Sequence, residues 1–111
     1  MSRFERLPDF DKELAKLSRK YRSLPEDIAK LERFISVNPV RLGTNFVTIH
    51  YSSLVRIVKA RLACKSLRDR SMRIIYAYHE QKVAFVHIEI YFKGDKENED
   101  RGRIESFMSG R

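Results

Sequence analysis

The chain holds one cysteine, Cys64, in 111 residues. A lone thiol excludes an internal disulfide framework and any zinc site built from several cysteines, and it points to a reducing compartment. Long apolar runs are lacking as well. Nowhere do eighteen apolar residues follow one another, and Met1-Ser2-Arg3-Phe4-Glu5-Arg6 has no apolar stretch behind its charges, so no membrane span or targeting signal is expected and the expected location is the cytoplasm. Histidine is sparse: three residues, at 50, 79 and 87, show no ligand spacing, so no metal and no cofactor is expected. Repeats, low-complexity tracts and linkers are absent, and the length suits one domain over residues 1–111 with one core.

Acidic residues are in deficit. Fifteen Asp and Glu stand against 23 Lys and Arg, a formal charge of +8, which favours a polyanionic partner through counterion release and long-range steering.

Three apolar runs organise the chain: 54–62, 72–78 and 83–92, all rich in β-branched and aromatic residues and read as strands. Ahead of them, Phe10, Leu14, Leu17 and Tyr21 have helical spacing behind a capping Asp9. Leu24, Ile28, Leu31, Phe34 and Ile35 mark a second helix, started by a Ser23/Glu26 capping box with Pro25 in its first turn and closed by Asn38-Pro39. The short junction makes the pair an antiparallel hairpin laid on the sheet. Residues 46–51 alternate well enough for a strand and equally suit a loop held by its aromatics, whereas 101–108 reads as a short final helix capped by Asp95 or Asn98. The expected fold class is α+β: a helix hairpin on a small, mainly antiparallel sheet of three to four or more strands, with a C-terminal helix.

Cations interrupt these strands. Arg56, Lys59 and Arg61 lie in the first run, Arg73 in the second and Lys93 just past the third, an arrangement that suits one face, or its rim, to a polyanion. The facing depends on register. A turn on Glu80-Gln81 puts Arg73 with Val86, Ile88 and Ile90, and a one-residue change puts it beside Phe85, His87 and Tyr91. Arg73 could also lay its stem on the sheet edge and pair with Asp69 or Glu89, and Lys59 and Arg61 could be edge gatekeepers. Cys64, Tyr76 and Tyr78 read as core. The acidic run Glu97, Glu99 and Asp100 would keep nucleic acid off that end of the molecule.

The order of two helices, then Lys59-Ala60-Arg61-Leu62-Ala63-Cys64-Lys65-Ser66-Leu67, Met72-Arg73-Ile74-Ile75-Tyr76-Ala77-Tyr78 and Ile90-Tyr91-Phe92-Lys93-Gly94-Asp95-Lys96-Glu97-Asn98 resembles the RelE/ParE superfamily of type II toxin–antitoxin toxins, over roughly residues 10–108. The junction Lys20-Tyr21-Arg22-Ser23-Leu24-Pro25-Glu26-Asp27-Ile28 is similar to that of RelE-like members. The resemblance implies a ribosome-dependent, metal-independent messenger RNA endoribonuclease silenced by a cognate antitoxin, in a toxin–antitoxin hetero-oligomer. In such enzymes the ribose 2′-hydroxyl attacks the adjacent phosphate. By the same resemblance Lys59, Arg61, Arg73 and Lys93 are the catalytic set, with Arg61 and Arg73 holding phosphate and Lys59 a base if cationic neighbours lower its pKa. Arg56, Lys65, Arg68 and Arg70 would bind RNA. Departures exist: Asp69-Arg70-Ser71-Met72 stands where many members have glycines, and residues 94–111 carry neither the Tyr nor the His that several members use, leaving His79, His87 and Tyr91 as acid or base. Two alternatives on the same fold are a ParE-like gyrase inhibitor and a member that binds RNA or antitoxin without cutting.

Overall fold

Residues 3–40 and 42–110 are described in the computed structural model. Strand β1 (Arg3–Arg6) precedes helices α1 (Pro8–Lys20) and α2 (Leu24–Val37); strands β2 (Phe46–Ser52), β3 (Val55–Cys64), β4 (Asp69–His79) and β5 (Ala84–Phe92) follow, and helix α3 (Arg101–Ser109) ends the fold. The sheet order is β1-β5-β4-β3-β2, with β1 parallel to β5 and every other pair antiparallel. The expected fold class is therefore found, and the ambiguous segment before β3 is a strand.

The helices differ from expectation at their starts. Asp9 is not the cap of α1. The chain is still extended at Leu7, whose N–H donates to the His87 carbonyl at 3.0 Å, so Pro8 begins the helix with its preset φ and Asp9 and Asp11 fall in the first turn. Nor does Ser23 form a capping box. Its Oγ donates to Asp27 Oδ2 (2.7 Å) and accepts from the Ser66 N–H (2.8 Å), while Asp27 also accepts from the Lys65 N–H, tying α2 to the turn after β3. For α3 the cap is Asp100, which accepts from the Arg103 N–H at 3.0 Å, rather than Asp95 or Asn98.

Strand β1 has no signal of its own in Arg-Phe-Glu-Arg; a partner creates it. Phe4 stacks on Phe85 at 4.8 Å between ring centroids, and the backbone pairs along β5 from Ala84 to His87. On the helix side of the sheet, Phe10, Leu24, Ile28 and Ile35 bury against Val58, Leu62, Ile74, Tyr76 and Phe85, with Cys64 and Tyr78 in the same cluster. On the other side Ile104, Phe107 and Met108 of α3 pack on Ile57, Ile75, Ile88 and Tyr91.

Neither anticipated register of β4 and β5 occurs. The Glu80 N–H donates to the Leu54 carbonyl, so β4 stays zipped to the chain before β3 and the turn spans residues 80–83, pairing His79 with Ala84. Arg73 then faces Tyr91. Between Ile75 and Tyr76 the register shifts by one, leaving Ile88 as an extra residue on β5. This bulge puts Val86, Ile88 and Tyr91 on the α3 side, and Phe85 and Ile90 on the helix side.

Past His87 the outer edge of β5 runs out of strand partner, and side chains take over. Arg103 donates to the Ile88 carbonyl (2.9 Å) and forks onto both carboxylate oxygens of Glu13 (2.9 and 2.8 Å), while Glu13 also accepts from the Ile90 N–H. The hydrogen bond to Glu13 holds the Arg103 guanidinium above its ordinary pKa, against the opposing effect of burial. Arg103→Met should thus lower unfolding stability by about 2 kcal/mol, the order expected for charge-assisted bonds lost from a protected edge. An unchanged urea midpoint would mean that water serves this edge as well as the side chains do.

Candidate functional site

Strand pairing, not sequence proximity, assembles the site. Arg61 of β3 lies opposite Arg73 of β4, and Arg73 opposite Tyr91 of β5, so the three form one row across the sheet on the α3 side. The next row is Lys59, Ile75 and Glu89. Rows two residues apart are about 7 Å from each other and paired Cα atoms about 5 Å. Lys59, Arg61, Arg73 and Tyr91 therefore share one small patch.

Arg73 is 7% exposed, yet no carboxylate lies within ion-pair distance of it among the described residues. Its guanidinium donates instead to the carbonyls of Arg70 and Met72. Asp69, one anticipated partner, is engaged with the Ser71 N–H, and Glu89, the other, with Lys96 and the Asp100 N–H. Burial and the charge of Arg61 both push the Arg73 pKa down, outweighing the pull of Tyr91 and Asp69. Two neighbouring guanidiniums, one buried and with no carboxylate at ion-pair distance among the described residues, are an unfavourable arrangement that an anion would relieve. A phosphate is an anion that guanidinium groups bind well.

Tyr91 supplies the polar tip of the row. Its hydroxyl is buried and outside hydrogen-bonding geometry with any described group. Burial raises its pKa above that of a free phenol, with Glu99 and Glu89 adding to the rise and the Lys59 charge opposing it. At neutral pH the group is a protonated phenol, a proton donor.

Lys59 behaves differently from the expected base. Burial depresses its pKa, but the 2.9 Å bond to Glu99, the Glu99 charge and, in the alkaline range where Lys59 titrates, the Tyr91 phenolate outweigh this, so the ammonium sits above its ordinary value. Glu99 shows the converse: burial raises its pKa, and the bond and charge of Lys59, with Arg101 beyond, bring it below the ordinary carboxylate range. Folding stability tied to this pair is complete at neutral pH. It fades in acid as Glu99 protonates through its depressed folded pKa, and in strong alkali as Lys59 deprotonates through its raised one.

The remaining expected residues fall in several places. Arg56 is not in the patch: it pairs with Tyr78 on the helix side, where Glu80 holds it at 3.3 Å and the Tyr51 ring lies under it. Lys65, Arg68 and Arg70 line, with Arg61 and Lys30, a cleft of about 630 Å³ beside α2, flanked by Phe34 and Phe46. Lys93 lies exposed one residue beyond β5, its N–H bonded to the Ser71 carbonyl, at the Arg73 end of the row. His79 is six residues along β4 from Arg73, about 20 Å away. His87 is fully buried on the helix side against Phe10, with Nε2 2.9 Å from Glu32. Of the three acid or base candidates only Tyr91 joins the cations.

Glu99 went unrecognised in the sequence. The three acids taken as one repelling cluster do separate things: Glu97 is exposed, Asp100 caps α3, and Glu99, with its side chain 7% exposed, points into the patch. Glu89, the one acid in the strand run 83–92, is the visible sign in the sequence that this face holds a polar anchor.

Comparison with protein-family models and with curated proteins finds no match. Among solved structures, a chain of the crystal structure of an archaeal RelE–RelB complex from Pyrococcus horikoshii OT3 is similar, with a TM-score of 0.63 and 15% identity over 84% of this chain and 96% of that one. This chain thus shares the fold of that chain of the RelE–RelB complex. No helix of the described residues is long and apolar enough to cross a membrane.

Proposed function

We propose that this chain is the toxin of a type II toxin–antitoxin system, a messenger RNA endoribonuclease that works on the ribosome and is neutralised by a cognate antitoxin. The observation that carries the reading is the row Arg61–Arg73–Tyr91 with Lys59 beside it, a cationic patch in which Arg61 is exposed, Lys59 half-buried and Arg73 and the neutral phenol of Tyr91 buried. Arg61 and Arg73 would take the non-bridging oxygens of the scissile phosphate and stabilise the extra charge of the phosphorane. Tyr91 would protonate the leaving 5′ oxygen, and Lys59, held as an ammonium, would add electrostatic stabilisation. Lys65, Arg68 and Arg70 would hold the flanking backbone along the cleft beside α2.

The RelE-like fold supports a toxin and an antitoxin partner. The antitoxin would find apolar anchors at Phe34, Val37, Val40 and Val47, all exposed around the end of α2 and the β2 edge, and acidic groups on it would meet the patch.

Induced expression in a bacterial host tests the reading. Growth should arrest, and primer extension on messages from arrested cells should find cuts within translated codons. Lys59→Ala with Arg61→Ala should relieve both. Arrest with intact messages and poisoned gyrase would transfer the chain to the ParE-like alternative; intact messages with retained RNA or antitoxin binding would leave a non-cutting member.

A further inference from the structure

We propose that the Glu99 carboxylate is the general base that takes the proton from the attacking 2′-hydroxyl. The inference rests on the nuclease reading and supplies the group that reading lacks. Lys59 cannot serve while Glu99 holds it protonated, His79 and His87 are elsewhere, and Glu89 is fully buried with Lys96 and the Asp100 N–H upon it. Glu99 is the carboxylate bonded directly to a cation of the patch and also lining the cavity beside it.

Its placement suits the role. Lys96 and the Asp100 N–H both bind Glu89, and Asp100 caps α3, so the short segment carrying Glu99 is pinned on each side of it. Behind the carboxylate stands Lys59 Nζ at 2.9 Å. In front opens a cavity of about 600 Å³ between β2 and α3, lined by Ile49, His50, Arg101 and Ile104 besides Glu99 itself. Glu99 is the residue this cavity shares with the patch, through its bond to Lys59. A carboxylate in this position is reached from the open side by substrate and kept ionised from the closed side by Lys59.

The step balances. Glu99 accepts the 2′-hydroxyl proton as O2′ bonds to phosphorus; the P–O5′ bond breaks, and O5′ takes the Tyr91 proton. The products are a 2′,3′-cyclic phosphate and a 5′-hydroxyl. A proton passed from Glu99 to Tyr91, directly or through solvent, resets the site.

Single-turnover cleavage of ribosome-bound message by the full chain, between pH 5 and 8, tests the assignment. The groups facing Glu99 are Lys59 from β3, Tyr91 and Glu89 from β5, Arg101 and Glu105 from α3 and His50 across the cavity. Ionisation of Glu99 should leave the wild-type rate level across this range, since Lys59 keeps the carboxylate charged there. Glu99→Gln should fall by about 10²- to 10⁴-fold, with RNA affinity within about threefold of wild type, since an interaction confined to the transition state leaves binding unchanged. Glu99→Asp should keep part of the rate. Glu99→Ala should be partly rescued by formate or acetate, the more basic carboxylate rescuing better. A Glu99→Gln chain that cuts as fast as wild type or faster overturns the base, as does a slow Glu99→Ala chain indifferent to added carboxylates, which would make Glu99 a positioning residue for Lys59. Wild-type chain that leaves messages uncut overturns the nuclease reading, and the base with it.

Discussion

Arg73→Met should reduce cleavage by about 10³-fold, the scale on which single cationic or hydrogen-bonding groups at a developing oxyanion or phosphorane act, and should melt no lower than wild type. The two halves of this expectation have one cause. A guanidinium 7% exposed, beside Arg61 and without a carboxylate at ion-pair distance among the described residues, gains little from folding. Replacing a buried charge by an apolar side chain of similar volume is commonly neutral or stabilising. A guanidinium does not lose its proton in a protein at physiological pH, so the unfavourable contribution does not titrate away. Only the phosphate of a bound message would offset it. Arg73→Lys should recover little activity, because an ammonium cannot present two parallel donors to two phosphate oxygens. Thermal unfolding and single-turnover cleavage on the same preparations decide the matter. A folded Arg73→Met chain that cuts within tenfold of wild type would remove Arg73 from the reacting centre, and a large fall in melting temperature would show that its bonds to the Arg70 and Met72 carbonyls are structural.

How far the sequence reveals this site follows from what each signal measures. Periodicity locates α1, α2 and the three central strands because each buries a regular stripe, and it flags the cations because they break that stripe. Strand β1 leaves no such trace: four residues with one aromatic become a strand only through the stacking of Phe4 on Phe85. The caps misread at Asp9 and Ser23 share a cause, since local side-chain bonding competes with tertiary demand. The Leu7 N–H is claimed by β5 and the Ser23 hydroxyl by Asp27 and Ser66. Glu99 is the instructive loss. In a run dense with both charges, nothing local separates the acid that caps a helix from the one that faces outward or the one turned toward Lys59. The distinction is made by Glu89, ten residues earlier, which anchors the segment through Lys96 and Asp100.

Deletion of Ile88 should leave a cooperatively folding chain with the row intact, at a stability cost set mainly by the loss of a buried aliphatic side chain, about 2–5 kcal/mol, as for Ile88→Ala. The reason lies in what the residue does to the backbone. With Ile88 present, Tyr76 pairs with His87 and Ile75 with Glu89, so Ile88 and Glu89 follow one another on the α3 side while Phe85, His87 and Ile90 face the helices. Without it, Glu89 follows His87 directly, and strict alternation reproduces the facing already there: Phe85, His87 and Ile90 toward α1 and α2, and Val86, Glu89 and Tyr91 toward α3. The stacks of Phe85 on Phe4 and Tyr78 and the contacts of His87 with Phe10 and Glu32 are then kept, and what is lost is the buried Ile88 side chain and the carbonyl that accepts from Arg103. No glycine or proline marks the bulge, which is why the facing of Arg73 was open in the sequence. Far-ultraviolet circular dichroism followed through urea unfolding tests this: both variants should give a sigmoidal transition at a lowered midpoint. A deletion chain without a cooperative transition, beside an Ile88→Ala chain that keeps one, would mean that the bulge holds β5 in place by something other than the facing of its side chains.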